Sequence, residues 1–296
     1  MGFDFVGRKK IWFIFSGLVI IIGLAGYIMR GGLNFGIEFK GGVIFDLKFE
    51  NELEVEQVRE VLKDFKLEKS VIQPVSKQEV LIKGPSISKD EQKEVVQALD
   101  NRFVVDETRY IQSVGPGWGS NVTRAAIIAL SLSLTGLLIY ISWRFEFKMA
   151  TVAIVALVHD ILISVGIYAL VGREVTPNTV AAFLTIMGYS LYDTIVVFHR
   201  VLENASKMVK TTYTQMVNNS INQVLIRSIN TSLTTLFPVI TLLAFGGETL
   251  KDFAFALIVG ITAGSYSSLF TASPLLVYWK EREPRYRALK EKFAEI

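Results

Sequence analysis

Asp160, Asp193 and Arg227 each fall inside a long apolar stretch of this chain. In hydrocarbon an ionisable side chain costs about 2.5 to 3.5 kcal/mol on insertion scales, so one retained there is a functional candidate. Asp193 lies in Gly188-Tyr189-Ser190-Leu191-Tyr192-Asp193-Thr194 in the fourth such stretch, and Arg227 lies near the start of the fifth. Consecutive spans run antiparallel, which puts both groups in the same half of a bilayer and lets them meet. A carboxylate beside a guanidinium stays ionised, and protonating it releases the cation. The pair reads either as a proton relay, with the proton as coupling ion, or as a fixed ion pair that sets helix register. Asp160 follows His159 near the middle of the third stretch, where it either carries protons or packs as the hydrogen-bonded partner of the imidazole. Asn222, Gln223, Ser228 and Thr231, with Asn230, Ser232, Thr234 and Thr235, add a hydroxyl and amide run through the fifth stretch. That is more than helix packing needs, and it suits the lining of a hydrated path.

The same inventory argues against other chemistry. With no cysteine and two histidines there is no thiolate site and no expected zinc centre. An intramembrane aspartyl protease, using Asp160 and Asp193 as carboxylates sharing a proton, would need them at one depth, and Asp160 sits in His-Asp-Ile-Leu without flanking glycine. We therefore expect no enzyme, no metal and no cofactor. A net charge of +3 does not point to nucleic acid.

The elements that must carry these residues are spelled out by hydropathy. The chain has 296 residues, is 51% hydrophobic and 20% charged, and has a mean hydropathy of +0.40, more apolar than a soluble domain of this size. Six stretches reach the roughly 20 residues that cross about 30 Å of hydrocarbon, at about residues 11–29, 123–142, 149–171, 177–199, 224–245 and 252–279. Arg8, Lys9 and Lys10 precede the first stretch, but Arg30-Gly31-Gly32 is no signal-peptide cleavage site, so it reads as a retained helix. Lys and Arg concentrate at the N-terminus, at Arg144 and Lys148, at Arg200, Lys207 and Lys210, and in the tail from Lys280 to Lys292. By the positive-inside rule both termini face the cytoplasm. The expected divisions are 1–29 for the N-terminus and first helix, 30–122 for an extracytoplasmic domain, 123–279 for the remaining helices and 280–296 for a basic cytoplasmic tail.

Residues 30–122 hold 13 basic and 16 acidic side chains. Val43, Phe45, Leu47 and Phe49 alternate as in a strand, and Val55, Val58, Val61, Leu62 and Phe65 recur at helical spacing. Strands near Val71-Ile72 and Val80-Leu81-Ile82 follow, then a helix opened by the capping box Ser88-Lys89-Asp90-Glu91, then a strand over Thr108–Val114. The order β-α-β-β-α-β is a ferredoxin-like signature. Gly41, Gly42, Gly115, Pro116 and Gly117 flank this domain as hinge candidates or as ordinary loop residues.

Several stretches together resemble the SecF family, the smaller subunit of the SecDF accessory complex of the bacterial protein translocase, within the RND superfamily. They are Phe3-Asp4-Phe5-Val6, Gly36-Ile37-Glu38-Phe39-Lys40-Gly41-Gly42, Val114-Gly115-Pro116, His159-Asp160, the block Gly188 to Phe198, and Asn222-Gln223 with Arg227. Glu38 and Tyr192 stand where the family often has Asp and Asn. The resemblance implies a polytopic α-helical membrane protein of six transmembrane helices, half of an RND-type transporter, in the bacterial cytoplasmic (inner) membrane. It implies SecD as the other half, the SecYEG channel (alone or with YidC) and the translocating preprotein as partners, and membrane lipid as the surroundings. By position, Asp193 and Arg227 match the proton-relay pair, acting with a carboxylate from SecD to drive preprotein export. The rival expectation is a proton-coupled RND-type exporter of small molecules or lipids, which would need an apolar substrate pocket.

Overall fold

The computed structural model describes residues 2–208 and 211–293, with the side chains of Pro116, Glu248 and Thr249 left outside the description. Lys210, counted above in a cytoplasmic loop, and the Pro116 side chain among the hinge candidates therefore lie outside the described residues. The chain divides into two compact units, Met1–Asn34 with Ala129–Ile296, and Phe35–Ile128. The elements in order are α1 (Lys9–Met29), β1 (Gly42–Phe49), α2 (Val55–Lys63), β2 (Val71–Pro74), β3 (Glu79–Gly84), α3 (Lys89–Phe103), β4 (Val105–Val114), α4 (Pro116–Arg144), α5 (Phe147–Val171), α6 (Pro177–Ser206) and α7 (Tyr213–Phe245). They end with α8 (Glu248–Ser267), a π-helical turn Ser268–Ala272, α9 (Ser273–Lys280) and α10 (Pro284–Phe293). Among the described residues six helices are long and apolar enough to cross a membrane: α1, α4, α5, α6, α7 and the run Leu250–Lys280. The protein is a multi-pass membrane protein.

Three of these helices outrun their apolar stretches. α4 begins at Pro116 rather than near residue 123, while α6 continues to Ser206 and α7 begins at Tyr213. Hydropathy is blind to these polar turns, but hydrogen bonding is not. Thr212 caps α7 by accepting from the Gln215 backbone N–H at 3.1 Å, as expected of a threonine N-cap. The two polar extensions are tied by Asn204 donating to Ser220 at 2.8 Å and to Gln223 at 2.9 Å.

Small residues set how closely the helices approach. A methyl group on Gly23 of α1 would lie 2.8 Å from the Cα of Gly166 in α5, so these helices meet backbone to backbone. Gly260 and Gly264 of α8 face Ile186 and Ser190 of α6 in the same manner, the close packing that small residues permit in membranes. The π turn precedes Pro274, which has no N–H to continue the α ladder. Ser273 compensates by donating its hydroxyl to the Ser268 carbonyl at 2.9 Å.

In the smaller unit the strands form one antiparallel sheet in the order β2-β3-β1-β4, and the chain order is the β-α-β-β-α-β read from the sequence. Val43, Phe45, Leu47 and Phe49 pack with Val58 and Leu62 of α2 and Val95 and Leu99 of α3, because alternate residues of a strand share one face. Ser88 and Glu91 cap α3 reciprocally, at 3.2 and 2.8 Å. Gly41 adopts φ +78°. A side chain on Gly42 would strike the Gly84 carbonyl at 2.6 Å, so these two hinge candidates occupy a packed turn into the sheet.

The other face of β1 carries Asp46, 8% exposed, with its Oδ1 lacking a hydrogen bond. Beside it Glu79 is ion-paired to Arg109 at 2.7 Å. Burial first, then the charge of Glu79, hold the Asp46 carboxyl above its ordinary 3.8, with Arg109 opposing. A raised carboxyl favours the folded state at low pH, and this contribution is lost as pH rises through the raised value. Asp46→Asn should therefore stabilise the smaller unit near neutral pH by about 1 kcal/mol. Thermal unfolding followed from about pH 4 to about pH 8 should show the gain shrink on acidification; a gain that grows toward acid contradicts the assignment.

Candidate functional site

Asp160 is fully buried at the meeting of α5, α6 and α8. Ser190 of α6 donates to its Oδ2, Ser267 of α8 donates to the same oxygen at 2.7 Å, and Nδ1 of His159 lies 2.9 Å from Oδ1. The close approach of α6 to α8 at Ser190 and Gly264 is what brings two hydroxyls from different helices onto one carboxylate. Both oxygens are thus engaged, as a buried carboxylate requires.

Asp193 follows Ser190 by three residues and so shares its helix face. It is 2% exposed, but its surroundings differ. Ser265 lies beside its carboxyl but gives its proton to the Ile261 carbonyl at 2.9 Å, and Oδ2 is buried with no hydrogen-bond partner among the described residues. Ser265 in turn lies 2.6 Å from the hydroxyl of Ser232 on α7, which donates to the Ser228 carbonyl at 2.8 Å. Tyr189 reaches Ser232 at 3.4 Å, and Thr194 meets Ser268 at 2.9 Å. The run Ser265, Ser267, Ser268 lies against both aspartates. Its role was visible only once α8 was placed between α5, α6 and α7.

Arg227 does not close an ion pair with Asp193. Its Nη2 lies 3.4 Å from the Tyr192 hydroxyl, and no Asp193–Arg227 salt bridge occurs among the described residues. The reason is rotational. Ser228 and Ser232 take the buried side of α7, so Arg227, Asn230 and Thr234 take the exposed side, one to two turns apart. Thr231 returns its hydroxyl to the Arg227 carbonyl at 2.9 Å, and the Ser228 hydroxyl is buried without a partner.

Asn222 and Gln223 do not join a path to Asp193. Asn222 accepts from the Phe3 N–H and donates to the Phe3 carbonyl, both at 2.9 Å, and Asn218 accepts from the Phe5 N–H at 2.8 Å. These amides clamp an extended N-terminal strap whose Phe5 and Val6 are buried. Gln223 accepts instead from Arg200 at 2.6 Å and from Asn204 at 2.9 Å. Sequence reasoning missed Asn218, although its four-residue spacing from Asn222 places both on one helix face. Gly115 and Gly117 have open space around them at the start of α4. Among the described residues no three His, Asp or Glu side chains converge to hold a metal ion.

The family described as protein export membrane protein SecD/SecF, C-terminal, matches residues 91–282, and the SecD/SecF GG motif matches residues 30–52. The protein translocase subunit SecF of Thermobaculum terrenum is 36% identical, and that of Calditerrivibrio nitroreducens 40% identical, each over 95% of both chains. Protein translocase subunit SecDF of Thermus thermophilus is 37% identical over 97% of this chain and 40% of its own length. A crystal structure of SecDF from Thermus thermophilus, a translocon-associated membrane protein, superposes with a TM-score of 0.87 at 36% identity over 95% of this chain. This chain spans 39% of that one.

The unequal partners of the two aspartates have a measurable consequence. Asp160→Ala strands Ser190 and His159 in a dry interior, with Ser267 left to the Gly264 carbonyl at 3.2 Å, and should cost about 3 kcal/mol of stability. Asp193→Ala strands no donor, since Ser265 beside it keeps the Ile261 carbonyl at 2.9 Å, and should cost about 1 kcal/mol or less. Thermal unfolding in detergent checks the order; a larger loss at Asp193 reverses the assignment.

Proposed function

The chain belongs to the SecF family of protein translocase subunits, and from that premise we propose that it works with a SecD half to couple inward proton flow to preprotein export. The Sec accessory role follows from the family; the coupling is our reading of the site. The observation that carries it is the buried Oδ2 of Asp193, which has no hydrogen-bond partner among the described residues. A buried carboxylate oxygen without a donor gains by taking up a proton or a cation, whereas Asp160 already has its donors. In this reading Asp193 is the proton acceptor and Arg227 the cation that answers to its charge, while Asp160 holds α5, α6 and α8 around it.

The exposed side of α7 supports a second half. Arg227, Asn230 and Thr234 stand there among Ile226, Leu233 and Phe237, which are 73%, 60% and 75% exposed. Polar groups at membrane depth pair with other protein rather than with lipid. The relative named SecDF combines both names in one chain, and a SecD helix bearing a carboxylate would meet this stripe. Repeats packed about a central site are common in transporters. In the cell the complex would sit in the cytoplasmic membrane beside the SecYEG channel, with both termini cytoplasmic and the smaller unit outside. We assign no enzymatic step: Asp160 is held by Ser190 and Ser267 and shares no hydrogen bond with Asp193 among the described residues.

One charge moved across 100 mV supplies about 2.3 kcal/mol, more than the roughly 1.4 kcal/mol that shifts a two-state equilibrium tenfold. Asp193→Asn should reduce proton-dependent stimulation of export in reconstituted vesicles to about a tenth of wild type or below, a loss of at least one factor of ten, while the complex with SecD still assembles. Full stimulation by that variant would end the proposal.

A further inference from the structure

Tyr278 of α9 is 49% exposed near the end of the last span, and two cations from opposite ends of the chain meet at its ring. The Arg282 guanidinium lies 4.4 Å from the ring centre and the Lys9 ammonium 5.8 Å from it, all within the larger unit. Arg282 also donates to the Tyr278 hydroxyl, which leaves the phenol proton to be given elsewhere. A ring face attracts a cation but carries no net charge to cancel it.

Neighbouring cations each have a carboxylate. Lys280 pairs with Glu146, Lys148 with Glu283 at 2.8 Å and Lys290 with Glu281 at 2.6 Å. Asp4, just before α1, accepts from the Gly7 N–H at 2.8 Å. Lys9 and Arg282 have no ion pair among the described residues. Two like charges are therefore held together where the spans Lys9–Met29 and Leu250–Lys280 reach the edge of the apolar layer, with no carboxylate of this chain bonded to either.

We propose that Lys9, Arg282 and the Tyr278 hydroxyl form a binding site for the phosphodiester of an anionic phospholipid. The ammonium, the remaining guanidinium N–H groups and the phenol O–H are all donors, and a phosphate oxygen is the acceptor that suits them. Free phosphate offers the same oxygens. A lipid is selected because Ile11, Ile14, Phe15 and Leu18 of α1, each more than half exposed, start within a turn of Lys9 and run into the span as a bed for acyl chains. Tyrosine rings and long cationic side chains sit at headgroup level, and two cations oppose the ammonium of a zwitterionic headgroup. A headgroup bound there ties the first span to the last. The inference is independent of the export reading and of the side on which the termini lie.

The full chain, alone and with its SecD half, is titrated in neutral detergent with phosphatidylglycerol or phosphatidylethanolamine, and lipid adducts are counted by native mass spectrometry. The first phosphatidylglycerol should bind at least about tenfold more tightly than phosphatidylethanolamine, since each cation near an anionic headgroup is worth about a fivefold factor. Lys9→Gln with Arg282→Gln should weaken it about twentyfold, whereas Lys9→Arg with Arg282→Lys, which keeps both charges, should bind within about threefold of wild type. Arg144→Gln with Lys292→Gln removes the same charge from two cations that lie over other rings and should leave the first adduct unchanged. Equal losses in the two glutamine pairs would reduce the site to diffuse surface attraction and overturn it. Equal affinity for phosphatidylethanolamine overturns it as well. Displacement of the lipid by excess inorganic phosphate would assign the donors to free phosphate, and loss of the adduct only when SecD is present would assign the cations to the partner; either result overturns the lipid site.

Discussion

A carboxylate buried in a helical bundle must be met by donors, and Asp160 draws its own from three helices, Ser267 of α8 reaching it beside Ser190 of α6 and His159 of α5. Ser265 lies beside the Asp193 carboxyl, and Ser268 of the π turn meets Thr194. Only a serine-rich segment pressed against α6 can do this, and the contact depends on Gly260 and Gly264 leaving room for Ile186 and Ser190. The π turn that follows, and the Ser273 hydroxyl that repairs its backbone, keep the segment continuous up to Pro274. The same few residues thus fix four helices and set the unequal environments of the two aspartates.

That inequality separates structure from function. Asp160 has a full set of donors and stitches the bundle together. Asp193, three residues along the same face of α6 from Ser190, keeps an oxygen without a partner among the described residues, and Arg227 lies on the exposed side of α7. A relay needs a group whose charge state is left open by its own chain and decided by something outside it. In the proposed assembly that outside influence is the proton and the partner half that covers Arg227.

Much of this was legible in the sequence because the signals were local. The six helices follow from apolar length, the strand of Val43 to Phe49 from alternation, and the start of α3 from the Ser88–Glu91 capping box. The polar ends of α6 and α7 were not, since hydropathy cannot distinguish a polar helix from a loop, and the bonds from Asn204 to Ser220 and Gln223 are tertiary. Asn222 looked like part of a hydrated path because an amide in an apolar stretch carries no label for its partner; its partner is the backbone of Phe3. The open Asp193–Arg227 pair was hidden for a related reason. Depth can be counted along a span, but the rotation of α7 is set by Ser228 and Ser232 turning inward.

The central claim is that Asp193, and not Asp160, changes protonation during coupling. Infrared difference spectroscopy of the reconstituted complex under an imposed proton gradient, recorded for wild type, Asp193→Asn and Asp160→Asn, tests it most directly. The account predicts a carboxyl band that responds to the gradient in wild type, persists in Asp160→Asn and is absent from Asp193→Asn. A band that survives in Asp193→Asn and disappears in Asp160→Asn would contradict it.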